Sequence, residues 1–285
     1  MENDLESRIR AKAPEFSKGQ KKIAAAITEN YDKSAYMTAA RLGDMVGVSE
    51  STVVRFALEL GYEGYPELQR AVQELVRTKL TSNQRIAVSN IRFGGEDLLE
   101  SVLTADIGKI KYTLENIDRA SFNAAVDAIV KARQMYILGV RSSAALASFL
   151  NFNLSLISER VKFVQPTSTG EVFEQMLDIG PEDVTFAISF PRYSQKMIKA
   201  VKYARTAGAG VIALTDTMLS PIAENADYVL TAQSDMASYV DSLVAPLSVI
   251  NAILVAVTKK KQAEVTARFD KLERIWDEYE VYAKR

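Results

Sequence analysis

Three strings in this 285-residue chain carry side chains able to hold anions or read base edges. Arg141-Ser142-Ser143 follows an apolar run that closes on Gly139, and Ser189-Phe190-Pro191-Arg192-Tyr193-Ser194 follows a second apolar run. In both, hydroxyls and a guanidinium stand where a strand gives way to a helical segment. Amides at a helix N-terminus bind phosphate, and a guanidinium grips phosphate or carboxylate through two parallel hydrogen bonds. Gly139 permits close backbone approach. Gly139, Arg141, Ser142, Ser143, Ser189, Arg192, Tyr193 and Ser194 together form a candidate site for one anionic ligand. Taken singly, such a serine fits a helix cap as well, and Arg141 fits a surface arginine covering apolar area. The third string is Ser49-Glu50-Ser51-Thr52 with Arg55 one turn on. Hydroxyls and a guanidinium near a helix start suit phosphates and major-groove base edges, whereas Glu50 also fits an anion that stabilises a helix start.

Composition removes other chemistries. The chain has no cysteine, hence no disulfide, thiolate metal site or thiol nucleophile. It has no histidine, which excludes imidazole-based hydrolysis and histidine-ligated zinc. No catalytic residue, metal or cofactor is expected. The net charge is −1, and residues 1–80 hold 12 basic and 12 acidic side chains. Phosphate contacts dominate DNA affinity, so charge gives no global support for DNA binding. A local basic face and dimerisation must supply it. With 48% apolar and 25% charged residues the chain reads as an ordinary globular protein of about two domains. It shows no membrane span and no apolar signal core, so a cytoplasmic location is expected.

The elements that must position these strings follow from periodicity. Residues 1–80 read as helical, with helices over Lys18–Glu29 behind a Ser17 cap, from Thr38 to Val46, from Ser49 to before Gly61, and after Pro66. Residues 81–95 are polar, lack steady periodicity and end in Gly-Gly, which predicts a linker. Helices are predicted near Leu98–Glu115 and Ser121–Arg133. From Gln134 short apolar runs (Met135–Leu138, Val161–Val164, Val184–Ile188, Val211–Leu214, Tyr228–Leu230) alternate with helical segments near Ser143–Ser158, Glu171–Leu177, Ser194–Ala207 and Pro221–Glu224. That alternation predicts a parallel sheet covered on both faces. A long helix, Val240–Lys260, and a charged helical tail, Gln262–Lys284, close the chain. The domains are thus read as 1–80, a linker 81–95, and 96–285.

Thr38–Leu60 has helix-turn-helix spacing. Leu42 and Val46 give the first helix an apolar face. Gly43 lets the second approach, at roughly 1 kcal/mol of helix propensity against alanine. Gly47 suits the positive φ of the turn, Val48 plugs the corner, and Ser49 is placed to accept an amide as N-cap. Val53, Phe56, Ala57 and Leu60 form the buried stripe. A plain helical hairpin has the same spacing. The string VGVSESTVVRFALELGYEGYPELQR, however, resembles the N-terminal domain of the RpiR family of transcription regulators. The shared positions are Val48, Ser49, Thr52, Val53, Arg55, Phe56, Leu60, Gly61, Tyr62, Gly64 and Tyr65; Gly43 stands where alanine is usual. The resemblance implies DNA recognition through Lys18, Lys22, Ser49, Glu50, Ser51, Thr52 and Arg55.

The second half resembles the SIS (sugar isomerase) domain that RpiR regulators carry, on the strings ILGVRSS, LDIGPEDVTFAISF and VIALTDTMLSPIAENADYVL. The resemblance implies an all-α helix-turn-helix domain followed by an α/β three-layer sandwich with a five-stranded parallel sheet, whose Ser/Thr-rich loops bind a phosphosugar. One loop departs. Where the family has Ser-x-Ser-Gly-x-Thr, this chain has Pro191 and Arg192 in place of Ser and Gly, and Ser194 in place of Thr. A hydroxyl and a flexible turn are lost and a guanidinium is gained, so the expected effector is an anionic sugar metabolite, a phosphosugar or a sugar acid. The expected partners are a palindromic double-stranded operator, that effector and further copies of the chain as homodimer or homotetramer, with no membrane. The alternative reading is a sugar-phosphate isomerase with an accessory helical domain, using Glu171 or Glu174 as base.

Overall fold

The computed structural model describes residues 5–79, 81–93, 97–165 and 168–283. The chain divides into two compact units, one of Met1–Leu98 with Met236–Tyr239, the other of Leu99–Asp235 with Val240–Arg285.

The α-helices described in the first unit are α1 (Leu5–Lys12), α2 (Lys18–Glu29), α3 (Tyr31–Ser34), α4 (Ala39–Val46), α5 (Glu50–Glu59), α6 (Tyr65–Lys79) and α7 (Ser82–Arg92). Ser17 caps α2 in a reciprocal box with Gln20. Thr38 accepts the Arg41 amide at the start of α4. The core joins Ile23 and Ile27 of α2, Leu42 of α4, Val53, Phe56 and Ala57 of α5, and Leu68, Val72 and Val76 of α6. Phe16 stacks at a tilt on Phe56 with ring centres 5.1 Å apart.

The stretch predicted as a linker carries α7, while Gly94 and Gly95 lie outside the described residues. Thr81 and Gln84 cap this helix reciprocally. Its helical period was hidden because the residues it buries at i, i+3 and i+4 are Arg85, Val88 and Ser89, two of them polar. Ser89 donates to the Ala237 carbonyl at 2.9 Å, which ties Met236–Tyr239 into this unit.

The second unit holds α8 (Leu98–Asn116, its first residue counted with the other unit), α9 (Arg119–Lys131), β1 (Met135–Gly139), α10 (Ser143–Ile157), β2 (Val161–Val164), α11 (Thr169–Gln175), β3 (Val184–Ile188), α12 (Gln195–Thr206), β4 (Gly210–Thr215), β5 (Tyr228–Thr231), α13 (Val244–Lys260) and α14 (Gln262–Glu278). The strands form one parallel sheet in the order β2-β1-β3-β4-β5. The central strands β1 and β3 are buried throughout, as their unbroken apolar runs require. One face packs on α9, α10, α13 and α14 through Ile137, Phe186, Leu150 and Ile250. The other packs on α11 and α12 through Leu138, Ala187, Val172 and Val201. This is the expected helix-turn-helix domain followed by a three-layer sandwich with a five-stranded parallel sheet.

Several predicted helix limits move: the long helix α13 starts at Val244 in place of Val240, and α14 ends at Glu278. Helix α9 starts at Arg119, earlier than expected, because Asp118 accepts the amides of Ala120 and Ser121. These bonds hold the Asp118 carboxyl below its usual range. Residues 221–224 make only a short 3₁₀ turn, Ala223–Asn225, in place of a helical segment. Among the described residues no helix is long and apolar enough to cross a membrane.

Candidate functional site

In the first unit α4, a tight turn and α5 form the helix-turn-helix. Gly47 ends α4 with φ 71°, and the Val48 amide bonds back to the Gly43 carbonyl at 2.9 Å. A Cβ on Gly43 would sit 2.7 Å from the Val48 carbonyl oxygen, so the close approach expected of this glycine is required. A Cβ on Gly19 of α2 would meet Val48 and Thr52 at 3.2 and 3.7 Å, which places α2 across the start of α5. Lys22 reaches the turn, its Nζ 3.8 Å from where a Gly47 Cβ would be. Lys18, Lys22, Ser49, Glu50, Ser51 and Arg55 are exposed and Thr52 is half-buried. The stripe Val53, Phe56, Ala57 and Leu60 faces the core, leaving that polar row outward.

Ser49 differs from expectation. It occupies the N-cap position of α5 with extended backbone but accepts no amide. Its hydroxyl instead lies 2.9 Å from those of Ser51 and Thr52. Neighbouring hydroxyls of similar polarity compete with the backbone for its lone pairs. The sequence also gave no sign of what fixes the far end of α5. Arg8 of α1 donates to the Leu60 carbonyl at 3.1 Å and lies 4.7 Å above the Tyr62 ring. Tyr65, Gln69 and Gln73, one turn apart on α6, donate to the carbonyls of Met37, Met37 and Ala35. Burial pushes the Tyr65 phenol up to about 12.

In the second unit the candidate effector residues gather at the carboxyl ends of β1 and β3. The two strands are neighbours, paired Gly139 to Ile188, and the sheet order reverses between them. That reversal opens a crevice in doubly wound sheets, where ligands bind. A Cβ on Gly139 would sit 2.6 Å from the Ser143 carbonyl and 2.8 Å from Ala147 Cβ, so this glycine lets the start of α10 pack on the strand end. Arg141 and Arg192, one in each loop, take positive φ of 57° and 65°. Such backbone is costly for any residue with a Cβ. Both arginines are exposed, and among the described residues neither side chain makes a hydrogen bond or ion pair.

Ser142 and Ser194 stand at the N-cap positions of α10 and α12, yet neither side chain makes a capping bond. A purely capping role for them is thereby removed. Ser143 and Ser189 are buried at the same strand ends. Tyr193 donates to Asp216 at 2.7 Å, and Thr215 donates to the same oxygen at 3.1 Å. This link to the end of β4 was missed, although the Thr-Asp pair stood in the sequence beside the next loop. Glu171 accepts the Ser168 amide in the capping box of α11, and Glu174 is exposed on the same helix.

The model of the rpiR-family helix-turn-helix domain matches residues 3–79, and that of the SIS domain matches 128–256. The HTH-type transcriptional regulator HexR of Pseudomonas aeruginosa is 26% identical over 271 residues, 92% of this chain and 91% of that protein. Among solved structures, the sugar isomerase domain of an RpiR transcription factor from Sphaerobacter thermophilus is 28% identical over 61% of this chain and 96% of its own, with a TM-score of 0.58. The NanR protein of Vibrio vulnificus, solved with ManNAc-6P, has a TM-score of 0.61 over 97% of this chain and 98% of its own, and at 20% identity it speaks for the fold alone.

Proposed function

For a chain that belongs to the RpiR family of transcriptional regulators, with a DNA-binding helix-turn-helix domain before a SIS domain, we propose that an anionic sugar metabolite bound at the β1/β3 crevice controls operator affinity. The observation that carries this reading is the pair of unpaired, left-handed arginines flanked by serines that cap nothing. Strained backbone persists where the surrounding structure over-determines it and clusters at ligand sites, and two guanidiniums beside free hydroxyls suit phosphate or carboxylate. The NanR protein, which shares this fold, was solved with ManNAc-6P, a compound of the proposed class.

The chain works in the cytoplasm as a homodimer or homotetramer. Its α5 helices present Ser49, Glu50, Ser51, Thr52 and Arg55 to the two halves of a palindromic operator, with Lys18 and Lys22 on flanking phosphates. Effector binding favours one arrangement of the paired subunits, and α7 with α8, consecutive along the chain, transmit it. A coupling of about 1–3 kcal/mol changes DNA affinity roughly 5–150-fold. The regulatory reading accords with HexR, a transcriptional regulator by name, and with Glu171 being engaged as a helix cap. A thermal-shift screen of sugar phosphates and sugar acids tests the site. A stabilising compound that loses its effect in Ser142→Ala and Arg192→Ala supports it, and an unchanged shift in both places the ligand elsewhere.

A further inference from the structure

The segment between β5 and α13 belongs to both units. The chain leaves the second unit after Asp235, spends Met236–Tyr239 in the first, and returns at Val240. The tip is anchored in the first unit. Met236 is buried in the same core as Ile23, Phe56 and Val76. Ser89 of α7 donates to the Ala237 carbonyl at 2.9 Å, and Arg85, one turn earlier, donates to the Tyr239 carbonyl at 3.5 Å. The base is anchored in the second unit. The Ser242 amide donates to the Asp235 carbonyl at 2.9 Å and the Ser234 hydroxyl to the Ser242 carbonyl at 3.0 Å, which closes residues 232–242 into a loop. The Gln233 amide donates to the Thr113 hydroxyl at 2.9 Å and the Ser242 hydroxyl to Asp106 at 2.7 Å, which holds the loop on α8. Ser234, Ser242 and Thr113 are buried, and a hydrogen-bonded polar network in a low-dielectric interior rigidifies what it joins.

The base of this loop also reaches the crevice residues. The Ala232 amide donates to the Thr215 carbonyl at 2.8 Å. The hydroxyls of Thr215 and Tyr193 donate to the same oxygen of Asp216, at 3.1 and 2.7 Å. Tyr193 directly follows the left-handed Arg192. A run of covalent and hydrogen bonds therefore leads from Arg192 through Tyr193, Asp216, Thr215 and Ala232 to Met236. Each of these hydrogen bonds lies within one unit, and the peptide bond between Asp235 and Met236 makes the crossing. We propose that residues 232–242 form a strap that carries the state of the Arg192 loop to the helix-turn-helix unit, with Tyr193 and Ser89 as positioning residues at its two ends. The proposal rests on the effector reading above and names how that site would be read out. An anion that draws Arg192 toward the crevice moves Tyr193 with it, and Asp216 and Thr215 pass the shift to Ala232. A slack loop would absorb such a shift. This loop is closed at its base, so the shift reaches Met236 inside the helical core and α7 through Ser89. Coupling travels through packed and hydrogen-bonded elements of this kind, and it is established by perturbing one end and measuring the other.

Hydrogen exchange on the full chain, read by mass spectrometry, tests the strap without any ligand. Tyr193→Phe removes the bond to Asp216 and leaves the ring in place. It is expected to speed amide exchange in residues 236–239 and in α7 by roughly fivefold, the factor set by one lost hydrogen bond of ordinary strength, while β1, β3 and α9 keep wild-type rates. Coupling is reciprocal, so Ser89→Ala is expected to speed exchange in residues 189–194. A change confined to the neighbourhood of each substitution overturns the proposal. Should Tyr193→Phe loosen the whole second unit, β1 and β3 report it and Ser89→Ala decides alone. Operator binding with glucose 6-phosphate and the other compounds of the thermal-shift screen separates this proposal from the effector reading. If exchange couples the two ends while none of these compounds alters operator affinity, the effector reading falls and the strap stands. If one of them alters operator affinity equally in the wild type and in Ser89→Ala, the strap falls and the effector reading stands.

Discussion

The turn of the helix-turn-helix and the loops over the sheet use the same left-handed backbone with opposite residue types. Gly47 and Gly61 hold φ of 71° and 82° at the ends of α4 and α5, where shape alone is required. Arg141 and Arg192 hold 57° and 65° at the ends of β1 and β3. A left-handed residue with a Cβ costs roughly 1–2 kcal/mol against glycine. The first region therefore takes the least strained residue, and the second carries strain in return for two guanidiniums. At position 192 the loop pattern that the sequence resembles has glycine, so the difference between the regions coincides with this chain's departure from that pattern. On the proposed reading, the turn of the helix-turn-helix is a spacer, whereas the turns over the crevice are part of the ligand site.

The largest expected effect lies at the packing that holds both regions in place. Gly139→Ala puts a methyl against the Ser143 carbonyl and Ala147, and overpacking of this kind is expected to cost about 1–3 kcal/mol, read by urea unfolding. Gly43→Ala, against the Val48 carbonyl, should act similarly and weaken DNA binding as α5 shifts. A stability unchanged in both would break the geometric account. Arg55→Ala should weaken operator binding by about 1–3 kcal/mol and relax its sequence preference, if this guanidinium reads a base edge. Uniform weakening on all sequences would make it a phosphate contact.

The comparison itself is tested by exchange. Gly47→Arg should lose about 1 kcal/mol, while Arg192→Gly should be neutral to about 1 kcal/mol more stable and yet bind sugar phosphates at least tenfold more weakly. Loss of stability in Arg192→Gly would show that the arginine serves the fold. The smallest effect concerns Tyr65, whose phenol burial pushes up to about 12. Its unfolded value is near 10. The buried neutral phenol therefore contributes its full stability below pH 10, and that contribution is lost as pH rises toward 12. Tyr65→Phe should cost about 0.5–1.5 kcal/mol at neutral pH and show a smaller loss of stability across that alkaline window.

Periodic apolar patterns made most of the fold legible, since Val184–Ile188 and the stripe Val53, Phe56, Ala57 and Leu60 bury what their spacing said they would. Helix α7 escaped because it buries Arg85 and Ser89, so polarity concealed its period. The partners of Arg8 lie 52 and 53 residues away, a distance that local patterns do not reach. At the candidate site the residue types were readable, but the left-handed arginines and the idle cap positions of Ser142 and Ser194 were not. Backbone hand at a non-glycine residue, and a hydroxyl's choice of partner, are settled by surrounding packing and leave no mark in spacing.

The central claim joins the two regions: an anion held over the sheet sets the hold of the helix-turn-helix on DNA. Fluorescence anisotropy on a labelled duplex from upstream of the chain's own gene measures it directly, with and without the sugar phosphate or sugar acid giving the largest thermal shift. The account predicts a change in DNA affinity of roughly 5–150-fold in the wild type and none in Arg192→Gly. Equal affinity with and without every stabilising compound, or the same response in Arg192→Gly, would contradict it.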